Sequence, residues 1–167
     1  TISGINNDDR SGFGVATGDI NNDGGDDLLI GAEHADPLGR TNAGEAYVVF
    51  GPFNADTVDL AVDAAMTIQG VAAFDCLGAG VAIGDLNDDG ITDLAIGAWG
   101  ADPNGTFCAG KTYVLFGPLD ATTFDLSTDA DRIINGIDQL DHSGVSLAIG
   151  DLDHDGAYDL VIGAEYG

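Results

Sequence analysis

The chain holds 167 residues, enough for one ordinary domain with a real core, and an apolar fraction of 44% excludes disorder despite the charge. Against 29 Asp and Glu stand only 4 Lys and Arg, a formal net charge of −25. So cation-poor a surface releases no phosphate counterions, which excludes nucleic acid and anionic lipid as partners, and no apolar run nears the roughly 20 residues of a membrane span.

From its start, TISGINNDDR, the chain is polar, so no signal peptide is visible; a secreted form would carry it elsewhere or have lost it. The first predicted strand, FGVATGD (13–19), is crowded with small residues, as expected of a strand near the axis of a radial assembly. An acidic loop follows, and then the strands DLLIGA (27–32), AYVVFG (46–51) and TIQG (67–70). Gly, Asn, Asp and Pro mark the junctions, including Asp36-Pro37 and Asp102-Pro103. No long run has a 3.6-residue apolar period, so little helix is expected.

The pattern then repeats. GVATGDINNDGGDDLLIGA aligns with GVAIGDLNDDGITDLAIGA and with LAIGDLDHDGAYDLVIGA, and GEAYVVFGPFNADTVDL (44–60) aligns with GKTYVLFGPLDATTFDL (110–126). The units are 1–66, 67–132 and an incomplete 133–167. Four short strands per unit predict an all-β fold of four-stranded antiparallel propeller blades, two and a half of them. A stacked solenoid would repeat at a shorter period.

Each acidic loop follows Asp-x-Asn/Asp-x-Asp-Gly-x-x-Asp. The candidate ligands are Asp19, Asn21, Asp23, Gly25 and Asp27; Asp85, Asn87, Asp89, Ile91 and Asp93; and Asp151, Asp153, Asp155, Ala157 and Asp159. Alternate side chains of a tight loop aim oxygens at one centre, the Gly at position 6 permits the turn, and position 7 offers a main-chain carbonyl. An all-oxygen set rich in carboxylates suits Ca²⁺, giving three expected sites, with the four-carboxylate third loop binding most tightly. Unneutralised, such carboxylates repel one another. Asx-turns alone would be the plain alternative for one loop, but not for three of identical spacing. An EF-hand is rejected, because its twelfth-position Glu is Ile30, Ile96 or Ile162 and the flanks are strands.

These residues carry a family resemblance. Phe13-Gly14, the acidic loop, Leu28-Leu29-Ile30-Gly31-Ala32 and the Gly44-x-Ala-Tyr-Val-Val-Phe strand together resemble the FG-GAP repeat of integrin α-subunit propellers, over essentially the whole chain. The departures are Leu77-Gly78 and Ser143-Gly144 for Phe-Gly, and Glu33, Trp99 and Glu165 for the Pro of Gly-Ala-Pro. The resemblance implies a seven-bladed propeller, Ca²⁺ in the loop between each blade's first two strands, and ligand recognition on the opposite, upper face. Two and a half blades then imply either a segment of a larger protein or copies that complete one another, the 1–4 strand of one joining the cut blade of the next.

The expected function is that of a non-enzymatic, extracellular or cell-surface adhesion module for a protein or glycan partner or for self-association; the alternative is an accessory region of a secreted carbohydrate-active enzyme. Cys76 and Cys108 precede the first and third strands of unit two, on one face, so a disulfide is expected. Asn104-Gly-Thr106 is a glycosylation sequon with meaning only in a eukaryotic secretory host. His34, His142 and His154 lack the partners of a catalytic triad. Phe74, Phe107 and Trp99 are expected to dress the upper face of unit two, as packing rather than as sugar platforms.

Overall fold

The computed structural model describes residues 1–53 and 56–167; Asn54 and Ala55, inside the repeated 44–60 stretch, lie outside the described residues. The elements are β1 (Ile2–Ser3), β2 (Ser11–Gly18), β3 (Asp27–Ala32), β4 (Glu45–Val49), β5 (Val58–Asp59), α1 (Leu60–Asp63), β6 (Met66–Gln69), β7 (Leu77–Gly84), β8 (Asp93–Ala98), β9 (Lys111–Leu115), β10 (Thr123–Asp125), β11 (Arg132–Asn135), β12 (Ser146–Gly150) and β13 (Asp159–Gly163). Nearly all of the regular structure is strand, joined by long turns and loops, and the FG-GAP-like pattern reads directly onto the sheets.

The first blade runs β2-β3-β4-β6, antiparallel throughout, and the second runs β7-β8-β9-β11. β12 and β13 form a hairpin equivalent to β2-β3 and β7-β8. The strand from Ser11 to Gly18 begins two residues before the expected 13–19, with a bulge between Ser11 and Val15 that recurs between Leu77 and Val81. The sheet of the first blade ends at Gln69, so its outer strand is drawn from the start of the second sequence repeat.

Two strands were not anticipated. β10 pairs in parallel with β6, so the second unit returns an edge strand to the outside of the first blade, and β5 pairs in parallel with β1 in the same way as a separate two-stranded sheet. Their signature is Thr-Val-Asp-Leu and Thr-Phe-Asp-Leu, in which Leu60 and Leu126 are buried. The Asp caps the turn that follows: Ala61 N–H donates to Asp59 Oδ1 (3.0 Å) and Ser127 N–H to Asp125 Oδ1 (3.0 Å).

The strands are apolar on both faces because blades stack on both sides. Leu29, Val48 and Ile68 of the first blade meet Leu77, Leu94, Ile96 and Leu115 of the second in one core. Ile30, Tyr47 and Val49 on the opposite face of the first blade pack under Leu60 of α1. Ala82, Ala95 and Val114 of the second blade pack against Leu147, Ile149 and Leu160 of the third hairpin. Small residues set the spacing between blades. A Cβ on Gly31 would overlap the Gly78 carbonyl, and one on Gly97 would overlap that of Gly144, so the sheets can approach this closely only without side chains there.

Candidate metal centre

Antiparallel order places the three acidic loops, each between the first and second strand of its unit, at one end of the blades. The loops opening β7, and those joining β3 to β4 and β8 to β9, lie at the other end. Each acidic loop winds around its own carboxylates. In the first, Asp19 accepts from the N–H groups of Asp23 (3.0 Å) and Gly24 (3.0 Å), Asn21 Oδ1 from Asp23 N–H (2.9 Å) and Asp23 Oδ1 from Gly25 N–H (2.9 Å). The second repeats this: Asp85 accepts from Asp89 (3.2 Å) and Gly90 (2.8 Å), Asn87 from Asp89 (3.1 Å) and Asp89 from Ile91 (2.8 Å). In the third, Asp151 accepts from Gly156 (3.2 Å), Asp153 from Asp155 (3.1 Å) and Asp155 from Ala157 (2.9 Å). Gly24, Gly90 and Gly156 have φ of 90°, 81° and 96°, the left-handed turn the loop needs at that place.

Position 9 does more than the spacing implies. Asp27 and Asp93 are 0% exposed. Oδ2 of Asp27 accepts from Ile20 N–H (2.9 Å) at the start of the loop, while Oδ1 accepts from Gly51 N–H (2.9 Å) beyond β4. Asp93 does the same with Leu86 (2.7 Å) and Gly117 (2.8 Å). Burial raises the Asp93 pKa against these two N–H bonds, and Asp89 and Asp85 push it further in the same direction. A cation beside it would reverse that last effect. Asp159 is exposed and, among the described residues, has only the loop bond, from Leu152 N–H (2.9 Å).

The third loop gathers its carboxylates most closely: oxygens of Asp151, Asp153 and Asp159 lie within 4.8 Å of one another. Asp151 Oδ1 is buried and, among the described residues, has no hydrogen-bond partner. A shielded, unpaired carboxylate oxygen facing like charge is the condition that a hard cation relieves, so these residues fit Ca²⁺. Ile30 and Ile96 are buried in strands and Ile162 lies in β13, so the twelfth position has no ligand role, in keeping with the rejection of an EF-hand.

The other end of the blades brings a different set together. Glu33, 2% exposed, accepts from Arg10 Nη1 (2.8 Å) and from Trp99 Nε1 (3.0 Å), which stands 66 residues on at the same place in the next unit. His142 sits edge-on to Trp99 (4.8 Å between centroids) and to Tyr166 (5.2 Å). Trp99 is thus packing, as expected. Phe74 and Phe107 are not: they are 62% and 55% exposed, because each tops a loop whose backbone, not its side chain, reaches the neighbouring unit through Phe74 N–H to Thr41 O (2.8 Å) and Leu140 N–H to Phe107 O (3.0 Å).

The expected disulfide is also overturned, as both cysteines are free. Their backbones bond to different neighbours of the second blade: Cys76 N–H donates to Asn42 O (3.1 Å) of the first unit, and Cys108 O accepts from His142 N–H (3.1 Å) of the third. Burial, with Glu33 and Asp75 adding to it, pushes the Cys76 thiol up to about 11, so it stays protonated.

Comparison with known proteins agrees with this architecture. The FG-GAP repeat family profile matches residues 11–49, 77–115 and 143–167. The phosphatidylinositol-glycan-specific phospholipase D of Rattus norvegicus is 31% identical over 160 residues, covering 94% of this chain and 19% of that enzyme. Integrin alpha-8 of Gallus gallus is 31% identical over 163 residues (92% of this chain, 14% of the integrin), and integrin alpha-PS2 of Drosophila melanogaster is 28% identical over 169 residues (97% and 11%). The chain therefore spans a fifth or less of these relatives' length. With three matched repeats covering most of its strands, the chain belongs to the FG-GAP repeat family of β-propeller modules.

Proposed function

We propose that this chain is a calcium-loaded FG-GAP propeller segment that serves, without catalysis of its own, as an extracellular or cell-surface recognition module. The observation that carries the metal reading is the third loop, where three carboxylates converge and Asp151 Oδ1 is buried without a partner. Its residues Asp151, Asp153, Asp155 and Asp159 would hold the ion, with Ala157 offering its carbonyl; the corresponding residues of the first two loops would hold two more. When bound, the ion neutralises the loop and joins its two flanking strands. Its role is structural, because Asp27 and Asp93 tie the first two loops to the cores of their blades.

Recognition falls to the other end, where loops of neighbouring units meet and side chains are free of the metal. Direct completion of a cut blade by β1 of a second copy is disfavoured by the pairing order. β6 and β11, the equivalents of β1, bond to the third strand of a blade, whereas β13 is a second strand. A protein or glycan partner is the better candidate.

Isothermal titration with CaCl₂ after chelation tests the metal reading: uptake of about three ions with a rise in thermal midpoint supports it, and no uptake overturns it. A second reading follows from the match to phosphatidylinositol-glycan-specific phospholipase D, an enzyme of which this chain resembles a 19% portion. On that reading the module is an accessory region beside a catalytic domain. A catalytic domain in the same reading frame decides for it.

A further inference from the structure

The end of the second blade opposite its acidic loop carries a groove of ≈460 Å³ between the loop that opens β7 and the loop from β8 to β9. Phe74 and Phe107 rise from its two sides, exposed; Asp75, Asp102 and the chain's single lysine, Lys111, line it; Gly100 leaves its wall low. The matching positions 66 residues earlier are Asp8, Thr41, Asp9, Asp36, Glu45 and His34, so the first unit has the same loops with no phenylalanine and no lysine.

The exchange of Glu45 for Lys111 changes the hydrogen-bond balance. In the first blade the Tyr47 hydroxyl donates to Glu45 Oε2 (2.5 Å). In the second, the Tyr113 hydroxyl is 1% exposed and has no partner, and Lys111 forms no ion pair among the described residues. The first blade satisfies itself here, whereas the second leaves the Tyr113 hydroxyl unmet in the core and Lys111 without an ion pair, among the described residues, beside two carboxylates in the groove. Asp75 and Asp102 each spend one oxygen on a backbone N–H, of Ala72 (3.1 Å) and Cys108 (2.7 Å), and keep the other.

We propose that this groove binds a neutral saccharide, which rests on the reading of the chain as a recognition module. An anionic ligand would meet Asp75, Asp102 and a surface of net charge −25; a cationic one would meet Lys111. A neutral polyol meets both signs as partners, since sugar hydroxyls donate to carboxylates and accept from an ammonium. The apolar C–H faces of the sugar lie against Phe74 and Phe107, which are otherwise costly to leave in water. Specificity comes from the second unit alone.

The test is an immobilised glycan array spanning neutral, sialylated and sulfated structures, followed by calorimetry with the neutral glycan retained best. Phe74→Ala and Lys111→Met each weaken that binding about tenfold, by loss of stacking area and of a charged hydrogen bond. Asp8→Ala, the matching change in the first unit, leaves it unchanged. Unaltered melting of the variants separates a lost contact from a lost fold. No retained glycan, or retention of sulfated glycans only, overturns the proposal; so does displacement of the bound glycan by oligolysine or oligoglutamate. Glycan binding that survives Phe74→Ala and Lys111→Met refutes this groove while sparing the recognition reading. Because the groove lies at the far end from the acidic loops, failure of the calcium titration leaves this result standing.

Discussion

The two complete blades and the third hairpin carry the same acidic loop but anchor it differently. Asp27 and Asp93 each use both oxygens, one on the loop and one on the N–H of Gly51 or Gly117 past the third strand. Asp159 has the loop bond alone and stands exposed. The motif thus does two jobs that the third hairpin separates. The nearby turns are local and form in all three loops, while the clamp to the core needs a third strand. Loop three has the most carboxylates at its candidate ligand positions, yet among the described residues its position 9 lacks the clamp of the other two.

The largest effects come from breaking the contacts between blades. Gly31→Ala forces a Cβ into the Gly78 carbonyl between the two complete blades and should cost about 3 kcal/mol or more in urea denaturation. Gly97→Ala meets the Gly144 carbonyl in the same way but parts only the third hairpin from the second blade, so a separate early transition is expected. Gly150→Ala, with nothing within 4 Å, should be near neutral. Equal loss at Gly31 and Gly150 would show that close approach does not set the blade spacing.

Next comes the clamp itself. Asp93→Ala leaves the N–H groups of Leu86 and Gly117 without acceptors and should cost about 3 kcal/mol, measured by chemical denaturation. Asp159→Ala removes one exposed bond and should cost about 1 kcal/mol or less. Similar losses for the two would erase the distinction between anchored and unanchored loops.

Calcium should narrow that gap. At a concentration 100 times Kd each site adds about 2.7 kcal/mol, and scanning calorimetry with and without a chelator reads the shift. The third hairpin, with its buried unpaired Asp151 oxygen, should gain most protection in amide exchange. A uniform gain across all three loops would refute that.

The smallest effect concerns a feature that the first blade has and the second lacks. Arg40 donates to Gly70 O (2.7 Å) and to Asp125 Oδ2 (2.8 Å), fastening β10 onto the first blade, whereas the matching place in the second unit is Thr106. Arg40→Gln should cost about 1 kcal/mol at neutral pH. The hydrogen bond from Arg40 lowers the Asp125 pKa from 3.8 to about 2. A carboxyl lowered on folding contributes stability above its unfolded value and loses it as pH falls through the folded one. The difference between wild type and variant should hold above about pH 4 and fade toward pH 2. A constant difference down to pH 2 would exclude the ion pair as its cause.

Strands β3 and β8 were legible residue for residue, since apolar runs bounded by Asp and Ala allow one reading. The acidic loops were legible in residue type, spacing and turn, because the bonds that wind them lie within nine residues. The parallel strands β5 and β10 were not, although Thr-Val-Asp-Leu and Thr-Phe-Asp-Leu recur. Two or three residues are too few for an alternating pattern, and their partners lie in another unit. Cys76 and Cys108 misled because sharing a face does not by itself bring two sulfurs to bonding distance.

Repetition every 66 residues was thus enough to determine the blade, its small-residue spacing and the chemistry of its loops, for these are written in local order and side-chain size. Tertiary structure alone decided what crosses longer distances. It brought Asp27 to Gly51, 24 residues on, and Glu33 to Trp99, 66 on, and it left Phe74 and Phe107 exposed beside Lys111, which has no ion pair among the described residues. Local spacing says which atoms a loop can offer, but only the order of strands and the stacking of sheets says which of them are already taken.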